Sequence, residues 1–144
     1  MEHLEFKIRE SFTDDLNNEW SHLSKLNNPS LFQTLNWQSL WCEIIQSQLK
    51  ESTLLIVSIY YNKKIIGILP FEKKKKFNIK ILNLTGYPFA DYCDCLLDMN
   101  FLKSKNNIKI EIQKFIFNLK DIDLLIFDKI NRESHFYFLF NNHK

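Results

Sequence analysis

Residues 64–98 read KIIGILPFEKKKKFNIKILNLTGYPFADYCDCLLD, and the fold turns on how this stretch is read. It holds three apolar runs, the chain's only two glycines and four consecutive lysines, so it reads as the centre of a β-sheet. Ile65, Ile66, Ile68, Leu69 and Phe71 form a nearly continuous apolar run, the pattern of a strand covered on both faces. Gly67 inside that run marks a bulge or a close backbone approach. Pro70 has no N–H to give a ladder and fits only where the ladder is interrupted. Residues 72–77, with Lys73, Lys74, Lys75 and Lys76, read as a turn or strand extension projecting beyond the sheet. Ile79, Ile81 and, partly in phase, Leu84 define a further strand, which Gly86-Tyr87-Pro88 ends. Residues 92–97 return as another strand, with Cys93, Cys95 and Leu97 on one face and Tyr92, Asp94 and Leu96 on the other. Asp91 and Asp94 therefore do not share a face.

Working outward, residues 54–61 are a second β-rich run. The polar link Asn62-Lys63-Lys64 makes the two runs an antiparallel hairpin. Near the N-terminus Phe6, Ile8 and Phe12 alternate with Lys7 and Arg9, the period of a half-exposed strand. Thr13 followed by Asp14 and Asp15 is a helix start, with a hydroxyl cap and carboxylates where the helix dipole favours them. Leu16, Trp20, Leu23 and Leu26 continue that helix until Asn27-Asn28-Pro29. Residues 32–49 read as a second helix, capped by Thr34 or Asn36, with Trp37, Leu40, Trp41, Ile44 and Ile45 along one side. Trp37 and Trp41 stand four residues apart on one face, either as core packing or as the wall of a ligand groove.

Downstream, Ile108, Ile112, Phe115, Ile116 and Leu119 place an amphipathic helix on the sheet. Residues 122–130 are dense in Leu, Ile and Phe and read as a buried strand. Glu133-Ser134 caps a last helix that opens with Phe136, Tyr137, Phe138, Leu139 and Phe140. A helix so short and apolar docks back, continues into further chain or meets a partner subunit through Phe136, Phe138 and Phe140.

The 144 residues (17.4 kDa) fit one domain. A net charge of +2 and a pI near 8.4 are far from the basic balance that marks nucleic-acid binding. No N-terminal apolar segment and no run of membrane-spanning length is present, so the chain reads as cytoplasmic, with a membrane-surface role disfavoured. Three cysteines, Cys42, Cys93 and Cys95, argue against a disulfide framework. Cys93 and Cys95 lack the further ligands a metal needs, and His3, His22, His135 and His143 are scattered, so no metal site is expected. There is no G-x-S-x-G turn for a nucleophile. Glycines at 67 and 86 are too far apart to cradle a phosphate, so no cofactor is expected on this chain. Capping explains Asp14 and Asp15, and the start of a strand explains Asp121 and Asp123. The four lysines read most simply as a solvated edge that blocks aggregation, with an anionic surface as the alternative. Asp91, Tyr92 and Asp94 follow the Gly86 loop, where strand ends often face a ligand.

The order of these motifs resembles the N-terminal half of the CelD-like, FemAB-related acyltransferases of the GNAT superfamily. The matching pieces are Phe32-Gln33-Thr34 with Trp37 and Trp41; Ile66-Gly67-Ile68-Leu69-Pro70-Phe71; Leu84-Thr85-Gly86 leading to Asp91-Tyr92-Cys93-Asp94; and Asp123-Leu124-Leu125 with Ser134 opening a helix. The resemblance implies an α/β (α+β) fold, a mixed and largely antiparallel sheet flanked by helices, forming the first half of a tandem GNAT architecture. It further implies N-acyl transfer from an acyl-CoA, such as acetyl-CoA, to a small-molecule amine. Trp37, Trp41, Gly86, Asp91, Tyr92 and Asp94 would border the acceptor. No residue matches the superfamily's Gln/Arg-x-x-Gly-x-Gly/Ala pyrophosphate loop, so the donor site is expected in a second half or partner. The alternative is a non-catalytic binding or assembly module linked to envelope or polysaccharide synthesis, using the apolar C-terminal end.

Overall fold

The computed structural model describes residues 2–49 and 51–141. His143 and residues 142–144 of the expected last helix lie outside the described residues, as do the side chains of Ile45 and Gln46. The elements run β1 (Leu4–Arg9), α1 (Asp14–Asn27), α2 (Leu35–Leu40), β2 (Ser52–Tyr61), β3 (Lys64–Lys76), β4 (Ile79–Leu84), β5 (Leu96–Leu97), α3 (Met99–Leu102), α4 (Asn106–Phe117), β6 (Leu124–Leu125) and α5 (His135–Phe140). Among the described residues six strands form one sheet in the order β1-β2-β3-β4-β6, with β5 also on β3. Every pairing is antiparallel except the parallel β4/β6 pair.

The long strand β3 organises the sheet. One edge pairs with β2. The other edge is divided, with β4 along residues 71–76 and β5 along Gly67 and Ile68. The division falls at Pro70, which has no N–H to offer, although its carbonyl still accepts from Thr85 N at 2.8 Å. Residues 85–95 thus leave and rejoin a single interrupted strand. Gly67 serves both expected purposes. The β2/β3 register shifts between Ile59, opposite Gly67, and Tyr60, opposite Ile65, which leaves Ile66 as the extra residue of a bulge. A Cβ at Gly67 would stand 2.8 Å from Leu97 Cδ2.

Four expectations need correction. Lys73, Lys74, Lys75 and Lys76 do not project beyond the sheet: they lie in β3, opposite Leu82, Ile81, Lys80 and Ile79, because apolar residues on β4 hold the ladder together. The chain reverses instead at Phe77-Asn78, both at positive φ (50° and 63°), just as Asn62-Lys63 does between β2 and β3 (48° and 67°). The strand expected over 92–97 shortens to Leu96–Leu97, since Cys93 N donates to Lys129 O and Cys95 N to Asp94 Oδ1 rather than to a strand. The buried strand expected over 122–130 reduces to Leu124–Leu125, with Leu124 44% exposed. Finally, the helix expected over 32–49 breaks into a 3₁₀ turn at Leu31–Gln33, α2, a π-helical turn at Trp41–Ile45 and a 3₁₀ turn at Gln46–Gln48.

One core lies on each face of the sheet. Leu16, Trp20 and Leu23 of α1 pack on Leu54, Ile56, Ile68 and Leu96. On the other face Ile108, Ile112 and Ile116 of α4 and Phe136 and Leu139 of α5 pack on Val57, Ile59, Leu69, Phe71 and Leu82. Burying each such side chain contributes about 1.5–3 kcal/mol. The apolar α5 docks back: Phe136 is 2% exposed against the rings of Phe71 and Phe127, while Phe138 and Phe140 are half-buried. Phe136 is therefore a core residue and not surface for a partner.

Candidate functional site

The interruption between β4 and β5 is the feature around which the candidate site residues gather. Loops carry unpaired backbone groups, and these must find partners wherever the loop is held. Here they do. Lys74 Nζ donates to Tyr87 O at 2.8 Å, Lys129 Nζ to Pro88 O at 2.6 Å, Cys93 N to Lys129 O at 3.0 Å and Gln33 Nε2 to Tyr92 O at 3.1 Å. Phe89 N and Ala90 N both donate to Gly86 O, closing a tight turn.

The root of the loop rests on Glu72, a carboxylate with no solvent exposure. Its Oε1 accepts from Trp41 Nε1 at 2.5 Å and from Gly86 N at 3.2 Å. Its Oε2 accepts no hydrogen bond and stands 3.2 Å from Lys74 Nζ as an ion pair. Trp37 stacks on Trp41 with centroids 5.5 Å apart and planes 7° from parallel, and Phe89 tilts against Trp41 at 5.7 Å. A Cβ on Gly86 would meet Trp37 Cη2 at 2.9 Å, so glycine is required by space and by its φ of +95°. Beside this cluster Thr85 Oγ1 donates to Gln38 Oε1, and Gln38 Nε2 donates to Phe32 O at 2.6 Å.

Of the six residues expected to border an acceptor, Trp37, Trp41 and Gly86 come together in this cluster. Asp91 is exposed on the loop. Tyr92 and Asp94 line a different space, a cavity of about 460 Å³ between the end of α1, the residues before β5 and the start of α5. Asp94 accepts from Cys95 N at 2.8 Å, from Phe136 N at 2.8 Å and from His135 N at 3.2 Å, so it caps α5 across 42 residues of sequence. Burial raises its pKa despite those donors. Burial lowers that of His135, against the charge of Asp94. His135 Nδ1 accepts from Leu97 N at 3.0 Å, so the neutral ring keeps its proton on Nε2.

Sequence reasoning missed Glu72 and His135. Glu72 stands four residues from Ile68 and so shares its face of β3, but residues 72–77 read from the sequence as projecting beyond the sheet, and nothing in the sequence names Trp41 as partner. The thiols are inert: burial first, and Glu72 second, pushes Cys42 up to about 12, and burial pushes Cys93 up to about 11 and Cys95 well above the ordinary value. Among the described residues no three His, Cys, Asp or Glu side chains stand together as metal ligands, and no helix is long and apolar enough to cross a membrane. The residues before α4 do not fit a CoA pyrophosphate. They contain no glycine, and the backbone N–H groups of Leu102, Lys103 and Lys105 are already spent on Asp98, Met99 and Leu102.

No protein-family model matches the sequence, and no curated protein matches it. Two solved structures are similar to it. A glucosamine-6-phosphate N-acetyltransferase from Arabidopsis thaliana is 19% identical over 97% of this chain and 93% of that one, with a TM-score of 0.47. An aminoglycoside acetyltransferase from an uncultured soil metagenomic sample, solved in complex with trehalose, is 12% identical over 98% of this chain and 91% of that one, with a TM-score of 0.51. The fold is accordingly GNAT-like, a mostly antiparallel six-stranded sheet flanked by helices.

Proposed function

We propose that this chain is an acyltransferase-type domain of the GNAT superfamily, serving N-acyl transfer from an acyl-CoA to a small-molecule amine. It stands as the first half of a CelD-like, FemAB-related tandem, with the donor held by a second half. The observation that carries the reading is the strand interrupted at 85–95, beside a parallel β4/β6 pair, in a sheet whose arrangement is shared with an acetyltransferase over nearly the whole chain. The poor fit of the residues before α4 to a pyrophosphate supports placing the donor elsewhere. Tyr92 and Asp94 border the acceptor, Asp91 flanks it on the loop, and Trp37, Trp41 and Gly86 with Glu72 hold that loop in place. No side chain here is assigned as general base, because His135 Nδ1 already accepts from a backbone amide and Asp94 from three.

Calorimetry with acetyl-CoA tests this. The 144-residue chain gives no binding heat, and a chain extended through any in-frame sequence beyond codon 144 binds the nucleotide. Binding by the 144-residue chain alone would overturn the half-domain part of the reading, and absence of binding by both would overturn the transferase reading.

A further inference from the structure

We propose that the cavity lined by Asn28, Gln33, Tyr92, Asp94, Glu133 and His135 binds a small hydroxylated amine that carries no phosphate group. This names the acceptor class for the transferase reading and rests on it, but the binding is measurable without any acyl transfer.

The volume of about 460 Å³ lies within the range of about 300–1,000 Å³ typical of small-ligand clefts. Its chemistry is selective. Among the described residues no lysine or arginine lines it. Of the three nearest in sequence, Lys129 Nζ donates to Pro88 O, Arg132 lines an adjoining cavity between α4 and α5 that Glu133 and Ser134 also line, and Lys25 is an exposed residue of the last turn of α1 that does not line the space. A phosphate placed here would face the carboxylates of Asp94 and Glu133 with no cation to offset them, and transfer of such an anion from water is costly. An ammonium group meets the opposite situation. Asp94 is committed to three backbone N–H groups, so the exposed Glu133 is the carboxylate left to receive it.

The remaining lining suits hydroxyls. Asn28 lines the space, while the Gln33 amide is committed within the wall, its Nε2 donating to Tyr92 O and its Oε1 accepting from Ser30 Oγ. His135, held neutral with Nδ1 turned to Leu97 N, presents Nε2–H as a fixed donor. The ring of Tyr92, 53% exposed at the rim, supplies an apolar face for the C–H side of a polyol while its hydroxyl stays available. The residues behind Tyr92 are rigid, because its carbonyl is tied to Gln33 Nε2 and Trp20 Nε1 donates to Gln33 O at 2.9 Å.

Glucosamine is the probe, with glucose and glucosamine 6-phosphate as comparators, each titrated into the 144-residue chain by NMR. The expected result is saturable glucosamine binding about tenfold tighter than either comparator, the value of one charge-assisted hydrogen bond. Glu133→Gln weakens glucosamine about tenfold and leaves glucose unchanged, whereas Tyr92→Ala weakens both. Both residues are exposed, and unchanged thermal midpoints confirm that the variants fold. Absence of saturable glucosamine binding, binding of the phosphate ester as tight as glucosamine, or an unaltered affinity in Glu133→Gln would each overturn the proposal. The outcome is separable from the transferase reading. Acetyl-CoA bound by an extended chain without glucosamine binding here sinks only this inference, and the reverse pattern sinks only the other.

Discussion

Gly86 shows how one residue decides a site. An alanine there would hold φ near +95° and press its Cβ into the Trp37 ring, and positions held in such regions cost about 1–3 kcal/mol each. Gly86→Ala should lower the unfolding free energy by that amount, read from a lower urea midpoint at unchanged m. Adding Trp37→Ala should recover the steric part and leave the backbone part, so the two changes will not be additive. Glu72→Ala strands Trp41 Nε1–H and Gly86 N–H, each worth about 1–3 kcal/mol when left unsatisfied. Glu72→Gln, which keeps an acceptor oxygen, should cost less, and the tryptophan emission shift will report whether the Trp41 bond survives. His135 makes stability depend on pH. Its folded pKa lies below the ordinary 6.5, so above that value its contribution is complete. As pH falls below 6.5 the unfolded chain takes up the proton first, and stability declines until the folded ring is protonated too. Asp94, whose pKa burial raises above 3.8, acts in the opposite sense, and Glu133 is the other carboxylate lining the same cavity. His135→Asn, which retains an acceptor for Leu97 N, should flatten the fall in thermal midpoint just below pH 6.5.

At the scale of elements, the turn between β3 and β4 is built from poor material. Phe77 is 88% exposed and, like Asn78, adopts a positive φ that the two-residue hairpin demands and that Asn-Gly satisfies more easily. Replacing Phe77-Asn78 by Asn-Gly should raise stability by about 1 kcal/mol, read from the urea midpoint. The sequence pattern located β3 and its hairpin with β2 correctly, because continuous apolarity and a polar link are local signals. It misplaced the lysines. In β3 they alternate faces: Lys73 pairs with Asp121 at 2.9 Å while Lys74 turns to Glu72 and Tyr87 O. A run of like charge hides a two-residue period, since every position looks the same. The short β5 and β6 were over-read for a related reason. Around β5 the backbone N–H groups of Cys93, Cys95 and Leu97 are claimed by a loop carbonyl and by side chains, and at β6 only two residues stay in the ladder with β4, one of them 44% exposed, which no local pattern encodes.

Across the whole molecule the last helix closes the core rather than leaving it open. Phe136 packs on Phe71 and Phe127, so Phe136→Ala should cost about 3–5 kcal/mol and make thermal unfolding start lower, measured by calorimetry. A variant at the surface of the same helix, Tyr137→Ala, provides the reference in which little changes. What the sequence alone determined is the central strand, its bulge at Gly67, the break at Pro70 and the helix starts at Thr13 and Ser134. Each follows from a residue's own stereochemistry or from periodicity over a few positions. Only the tertiary structure decided that Glu72 would be buried beneath Trp41 and Gly86, that Asp94 would cap a helix 42 residues away, and that of the six expected site residues three would cluster, two would line a separate cavity and Asp91 would stay exposed on the loop. Those outcomes depend on which distant groups meet once the sheet forms, and spacing along the chain does not specify that. The stretch 64–98 was rightly read as the centre of the sheet, and the proposed site borders the loop that leaves the ladder at Pro70.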